Sequence, residues 1–150
     1  MNILWELQSY QQSVVKIQTQ EFGACIVSND NKILSIGYNG FPTGCSDDEI
    51  SWEREGDFEN TKYPYVCHAE LNAILNYTGN TLKGSKIYVN QFPCNECAKA
   101  IIQAGIKEVI YKENKYPDSD STKVSMRMLN LSKVKYKQYE KGEKTITIAL

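Results

Sequence analysis

Apolar and polar residues alternate in blocks along the chain, and the blocks predict a regular succession of elements. Residues 3–18 carry apolar side chains at helical spacing, which predicts an amphipathic helix. Residues 22–28 and 32–38 are largely apolar runs joined by the polar residues 29–31, which predicts a β-hairpin. Residues 39–65 follow with glycine, proline and many acidic side chains, and predict a long loop of the kind that usually carries function.

The rest of the chain alternates between helical and strand patterns. Helices are predicted over residues 68–77, 94–104 and 118–129, and strands over 85–90, 107–112, 134–139 and 145–150. Gly79 and Gly105 are expected to end the first two of these helices. This order predicts an α/β layered sheet with a parallel part, in which the third strand, the next helix and the fourth strand form a right-handed crossover.

Composition narrows the class of protein. The length suits a single domain over residues 1–150, and the 41% hydrophobic content is ordinary for a globular chain. The formal net charge of -1 lacks the basic excess expected of a protein that binds a nucleic-acid polymer. No segment resembles a signal peptide or a membrane span, so we expect a cytoplasmic protein with no membrane partner. In a reducing compartment, cysteines are more often ligands than disulfides.

Two short motifs carry the candidate chemistry. The first is His68-Ala69-Glu70, and the second is Pro93-Cys94-Asn95-Glu96-Cys97. His68 is the only histidine among the 150 residues, and the order H-x-E then P-C-x-x-C is the signature of zinc nucleobase deaminases. Zinc at a hydrolytic centre takes three protein ligands and leaves one position for water. We therefore predict Zn²⁺ held by His68, Cys94 and Cys97.

Glu70 is the predicted catalytic residue. It lies two positions beyond His68, close enough to face the open position of the metal without ligating it. A carboxyl in a closed pocket has a raised pKa, which suits a group that passes protons from water to a base. The two cysteines are one turn apart at a helix start, where the helix dipole favours thiolates.

A structural zinc site with four cysteine ligands is the main alternative from the residues alone. Cys67 would replace His68, and Cys25 or Cys45 would join. Cys25 lies in an apolar strand and is expected to be a buried small residue. The side chain of Cys67 is expected to point away from the metal.

Longer segments around these motifs match one family. They are GACIV at residues 23–27, GYNGFPTGCSDD at 37–48, KYPYVCHAELNAI at 62–74, FPCNECAK at 92–99, IIQAGIKEVI at 101–110 and KYPDSD at 115–120. Through them, the chain resembles the deoxycytidylate (dCMP) deaminases of the cytidine deaminase-like superfamily, over about residues 22–140.

The resemblance implies a fold, an activity and an assembly. The fold is the three-layer α/β/α cytidine deaminase-like fold with a mixed central sheet of about five strands. The activity is hydrolysis of dCMP to dUMP and ammonia, which supplies dUMP for thymidylate synthesis. Members of the family are usually homohexamers that dCTP activates and dTTP inhibits.

The resemblance also implies substrate contacts. Asn39 would hold the deoxyribose hydroxyl, although Asn39-Gly40 is also an ordinary turn dipeptide. The backbone N–H of Ala69 would donate to the base carbonyl. Lys115, with Tyr116 beside it, is the candidate for the substrate phosphate, and a solvated surface lysine is the competing interpretation.

The loop over residues 39–48 is also the candidate effector site. Asn39, Gly40, Gly44 and Asp48 are its candidate allosteric residues. One segment departs from the family, since residues 17–21 replace a charged stretch that contains Asp-Pro. Contacts made there to phosphate or to neighbouring subunits are therefore open.

Three further functions stay open at this point. The first is a bifunctional enzyme that deaminates both dCMP and dCTP. The second is a non-catalytic zinc-binding subunit that senses nucleotides, although a purely structural site has no need of Glu70. The third is a polynucleotide deaminase, which the net charge of -1 disfavours.

Overall fold

The strands and helices of the protein are taken from a computed structural model that describes residues 23–46 and 48–140. The strands are β1 (Gly23–Val27), β2 (Ile33–Tyr38), β3 (Lys86–Gln91), β4 (Glu108–Glu113) and β5 (Lys135–Gln138). The helices are α1 (Ala69–Leu75), α2 (Asn95–Gln103) and α3 (Asp120–Leu131), with a 3-10 turn at Phe58–Asn60. Each element predicted within the described residues is confirmed, with ends shifted by up to two residues. In these ranges, no helix has both the length and the apolar character that a membrane crossing requires.

The strands form one mixed sheet in the order β2-β1-β3-β4-β5. Strand β1 pairs antiparallel with β2 and with β3, whereas β3, β4 and β5 are parallel. The predicted hairpin and the predicted parallel part are both present, and α2 connects the parallel neighbours β3 and β4. The predicted helix over 3–18 and the predicted strand over 145–150 lie outside the described residues, and a single domain over 1–150 stays a prediction.

Successive side chains of each strand point to opposite faces of the sheet, so the buried side chains are divided between two faces. The first face packs against all three helices and includes Ala24, Ile26, Ile87, Val89 and Val109. The second face carries a smaller cluster of Cys25, Val27, Tyr88 and Ile110. Every residue of β1 is buried, which is typical of a strand in the centre of a sheet with both faces covered. Burial raises the pKa of the Cys25 thiol to about 11, so this cysteine is a neutral core residue, as predicted.

The helix ends differ slightly from the prediction, for local reasons. Helix α1 ends at Leu75, before Gly79, because Asn76 caps it with its backbone N–H and donates its side-chain Nδ2 to the carbonyl of Ile36 at 3.3 Å. Helix α2 ends at Gln103 with Ala104 as its C-cap, and Gly105, which was expected to end it, follows with a φ of +78° that favours glycine. Helix α3 begins at Asp120 because the Ser119 hydroxyl accepts the Thr122 N–H at 3.2 Å.

Helix α1 lies unusually close to the edge strand β2. A Cβ atom on Gly37 would lie 2.2 Å from both the Ala69 oxygen and the Ala73 nitrogen, so no larger residue fits without displacing the helix. Asn72 adds a hydrogen bond from its Nδ2 to the Tyr38 carbonyl at 2.8 Å. This close approach fixes the first turn of α1, which carries the H-x-E motif.

Replacement of Gly37 by alanine should therefore destabilise the fold. We expect Gly37→Ala to lower the free energy of unfolding by about 2–3 kcal/mol, because the added methyl group meets backbone atoms that cannot rotate away. Urea denaturation followed by circular dichroism measures the change. The matched control is Gly40→Ala, since a Cβ at Gly40 meets nothing within 4 Å. Equal stability of the two variants would contradict the close helix–strand contact.

Candidate active site

Two helix N-termini meet at the predicted metal site. His68 is the N-cap of α1 and Cys94 is the N-cap of α2, both in extended conformation. The Nδ1 atom of His68 lies 3.5 Å from the Cys94 sulfur and 3.4 Å from the Cys97 sulfur. The three side chains were predicted as ligands from the sequence alone, and the fold brings them together from segments that are separated by strand β3.

The geometry fits zinc. A tetrahedral zinc ion, with bonds of about 2.0 Å to nitrogen and about 2.3 Å to sulfur, separates its ligand atoms by roughly 3.5–3.8 Å. The candidate ligand atoms of His68, Cys94 and Cys97 all lie within 4.8 Å of one another. In the described part of the chain they are the one group of three or more side chains that could hold a metal. Cys25, Cys45 and Cys67 are outside it, which disfavours a four-cysteine site.

The thiols of Cys94 and Cys97 shift each other's pKa in opposite directions. A hydrogen bond from the Cys97 thiol, helped by His68, lowers the pKa of Cys94 to about 4. The same hydrogen bond, together with burial, raises the pKa of Cys97. The hydrogen bond with Cys94 raises the pKa of His68. Zinc needs both thiolates and a neutral imidazole, so its binding displaces protons from this group.

Glu70 lies beside the metal ligands, in the first turn of α1. It lines a cavity of about 440 Å³ together with His68 and Cys94. Loss of hydration raises the pKa of its carboxyl, and backbone hydrogen bonding opposes that effect in part. The raised pKa agrees with the prediction and suits a group that accepts and returns protons.

All four predicted substrate residues line the same cavity. They are Asn39, Ala69, Lys115 and Tyr116. The candidate allosteric residues Gly40, Gly44 and Asp48 do not line it. Gly44 and Asp48 lie in an exposed stretch of the loop, where the Asp48 N–H donates to the Ser46 hydroxyl at 3.1 Å.

Asn39 and Ala69 are bonded to each other. The backbone N–H of Ala69 donates to Oδ1 of Asn39 at 2.9 Å. Next to them, Gly40 and Cys67 form an antiparallel bridge with hydrogen bonds of 3.1 and 2.8 Å. The two ends of the long loop are therefore joined at the site. The predicted donation from Ala69 to a base carbonyl requires exchange of its bond with Asn39.

Sequence reasoning missed four cavity residues that the long loop supplies, namely Trp52, Arg54, Lys62 and Tyr63. Trp52 also packs on Phe41 with ring centroids 4.4 Å apart. A signal was present in the composition, since Arg54 and Lys62 are the only basic residues of the acidic segment 39–65. Their positions in the sequence alone gave no reason to place these loop residues beside the candidate metal ligands.

Ser121 was also missed, and it supports the metal site from behind. Its hydroxyl accepts the Asn95 N–H at 3.2 Å and donates to Asn95 Oδ1 at 2.8 Å. Asn95 is the first residue of α2, directly after the N-cap Cys94. These two bonds tie the start of α3 to the turn that carries both cysteines.

Removal of a predicted ligand should remove zinc. We expect the protein to hold about one zinc ion per chain, and His68→Ala or Cys97→Ser to hold a small fraction of that, because two protein ligands bind zinc far more weakly than three. Mass spectrometry of the metal content measures this. Cys45→Ser is the control, since Cys45 is exposed and outside the cluster. Full zinc content in Cys97→Ser would contradict the assignment.

Comparison with known proteins agrees with this geometry. The family model described as "Cytidine and deoxycytidylate deaminase zinc-binding region" matches residues 2–113. The deoxycytidylate deaminase of Homo sapiens is 53% identical over 125 residues, which cover 83% of this chain and 70% of that protein. The probable deoxycytidylate deaminase of Drosophila melanogaster is 49% identical over 134 residues, which cover 85% of this chain and 66% of that protein.

A solved structure of a dCMP deaminase is also similar to this chain. The dCMP deaminase of the cyanophage S-TIM5, in complex with dCMP and dUMP, superposes with a TM-score of 0.69 at 27% identity. The match covers 92% of this chain and 95% of that one, which confirms the predicted cytidine deaminase-like fold and its mixed sheet of five strands. The fold, the candidate metal site and the extent of these matches together show that the chain belongs to the cytidine and deoxycytidylate deaminase family.

Proposed function

We propose that the protein catalyses the zinc-dependent hydrolytic deamination of dCMP to dUMP, with release of ammonia. The observation that carries the proposal is that Glu70 lines one cavity with His68 and Cys94, whose ligand atoms cluster with that of Cys97. A purely structural zinc site has no use for a carboxyl there. The substrate is supported by the human relative, a deoxycytidylate deaminase, and by the cyanophage enzyme, whose structure contains dCMP and dUMP.

The chain's own residues divide the chemistry between them. His68, Cys94 and Cys97 would hold zinc, which would supply the chemistry of an acidified water. Glu70 takes a proton from the attacking water and delivers it to the ring nitrogen of cytosine. It then takes a second proton from the hydroxyl newly bonded to the ring carbon and passes it to the exocyclic amine, so that the C–N bond breaks, ammonia leaves and a carbonyl forms. Its raised pKa brings the carboxyl closer to the working pH, so both its protonated and ionised forms are accessible.

Binding of the sugar and the base falls to the residues at the loop ends. Asn39 holds the deoxyribose hydroxyl in this proposal, and the Ala69 N–H donates to the base carbonyl after it leaves Asn39 Oδ1. Both groups line the cavity, as do Lys115 and Tyr116, which stay proposed substrate contacts.

Regulation and assembly are proposed on the family resemblance. The enzyme would be a cytoplasmic homohexamer that supplies dUMP for thymidylate synthesis, activated by dCTP and inhibited by dTTP. Asn39, Gly40, Gly44 and Asp48 are the proposed effector contacts. A side-by-side assay of cytidine, dCMP and dCTP separates a dCMP deaminase from a bifunctional enzyme, and the absence of any turnover would favour a nucleotide-sensing subunit.

Glu70→Gln tests the catalytic assignment. We expect kcat for dCMP to fall about 1,000-fold, because the amide has a similar shape but cannot carry protons. Chromatographic detection of dUMP measures the rate, and metal analysis should show that zinc is retained. A variant with wild-type kcat would refute the role of Glu70, whereas a loss of zinc would show that Glu70 supports the metal instead.

Asn39→Ala tests the sugar contact. We expect kcat/KM for dCMP to fall about 10- to 100-fold, because a hydrogen bond to the sugar and the partner of the Ala69 N–H are both lost. Steady-state kinetics with 2′,3′-dideoxycytidine monophosphate provide the control. That substrate lacks the 3′-hydroxyl, so the ratio of kcat/KM between wild type and Asn39→Ala should be smaller with it than with dCMP. An equal ratio for the two substrates would argue against contact between Asn39 and the hydroxyl.

A further inference from the structure

We propose that Lys62 and Arg54 bind the 5′-phosphate of the nucleotide substrate. The inference rests on the proposed function, since it assigns one group of the same substrate. Both residues line the cavity that also contains the metal ligands His68 and Cys94. They come from the long loop, whereas the metal ligands come from the two helix starts. One cavity thus joins a reaction centre to a pair of positive charges.

The backbone of Lys62 is held in place on both sides. Its N–H donates to the carbonyl of Glu53 at 3.0 Å, which places Lys62 next to the segment that carries Arg54. Its own carbonyl accepts the N–H groups of Tyr65 and Val66 at 3.1 and 3.0 Å. The chain then continues directly into His68. The ammonium group is therefore attached to a fixed turn, which reduces the entropy lost when it binds an anion.

The two cations have no acidic partner in the part of the chain that the structure describes. The ion pairs there involve Lys32, Lys99, Lys115 and Lys137, and neither Lys62 nor Arg54 is among them. Lys62 is nevertheless only 9% exposed. A largely buried lysine residue whose ammonium group has no carboxylate partner is unfavourable, so its position beside a second cation indicates a site for an anion.

The electrostatic state of Lys62 agrees with this interpretation. Burial lowers the pKa of its ammonium group, and the nearby charge of Arg54 lowers it further. An anion between the two side chains would offset both effects. A phosphate monoester carries a charge close to -2 at neutral pH, which matches two cations.

Lys115 is the competing candidate within the cavity. Its Nζ lies 3.5 Å from the Glu113 carboxylate, so its charge is already balanced in part. A phosphate bound there would have to compete with that carboxylate. The pair formed by Lys62 and Arg54 faces no such competition among the described residues, and this difference favours it.

Binding of product to the zinc-loaded protein tests the proposal. Isothermal titration measures the Kd of dUMP and of deoxyuridine, which differ only in the phosphate. We expect Lys62→Met to raise the Kd of dUMP about 10- to 100-fold and Arg54→Gln to raise it several-fold, because each loses a charged hydrogen bond. The Kd of deoxyuridine should stay unchanged in both variants.

Three further variants complete the design. Lys32→Met is the charge-matched control and should bind dUMP as the wild type does, because Lys32 pairs with Asp30 outside the cavity. Lys62→Arg should restore most of the dUMP affinity, which separates a loss of charge from a loss of fold. Lys115→Met should have a smaller effect than Lys62→Met.

Other results would overturn the assignment. One is an equal Kd of the wild type for dUMP and deoxyuridine. Another is an unchanged Kd of dUMP in the Lys62→Met/Arg54→Gln double variant. The third is a larger loss of dUMP affinity in Lys115→Met than in Lys62→Met. The proposed function is tested separately by turnover of dCMP. If the wild-type protein binds dUMP through Lys62 and Arg54 but does not deaminate dCMP, the proposed deaminase function is refuted and the phosphate site is still supported.

Discussion

The meeting of two helix N-termini at one point is the constraint on which the rest of the structure depends. His68 and Cys94 cap α1 and α2, and their ligand atoms approach to 3.5 Å. Each helix is held separately: α1 by its contact with β2 at Gly37, and α2 by the β3–β4 crossover and the Ser121 hydroxyl. The Cys97 N–H donates to the Cys94 sulfur at 3.5 Å, and the positive end of a helix dipole favours thiolates such as those that zinc requires.

The long loop is more ordered than its lack of periodicity suggests. It closes on itself through the Gly40–Cys67 bridge, the packing of Phe41 on Trp52 and the hydrogen bond from Lys62 to Glu53. Through these contacts, a segment without long helices or strands presents fixed side chains to the cavity. The helices and the sheet position the candidate metal ligands, and the loop provides further side chains that line the same cavity.

Sequence reasoning recovered the parts of the structure that local patterns encode. The buried run 23–27 and the alternation of apolar and polar residues in the later strands predicted the sheet. The two motifs predicted His68, Cys94 and Cys97 as ligands, and the fold brings these three side chains together. Helix ends were less accurate because they depend on single caps, such as Ser119 for α3. Lys62 and Trp52 could not be placed, since they reach the site through contacts between distant residues of an irregular loop. Lys115 was favoured for the phosphate because its segment resembles a family motif, and its ion pair with Glu113 at 3.5 Å is a contact that the motif does not indicate.

The hydrogen bond between Asn39 and Ala69 has a consequence for selectivity. With no ligand present, the donor and the acceptor satisfy each other at 2.9 Å. A nucleotide must therefore exchange partners with both groups rather than occupy vacant ones. A molecule that replaces just one of the two partners leaves the other group desolvated and unpaired, at a cost of about 1–3 kcal/mol. A free base or a bare sugar phosphate would meet that penalty, so this one bond makes recognition depend on both halves of the nucleotide at once.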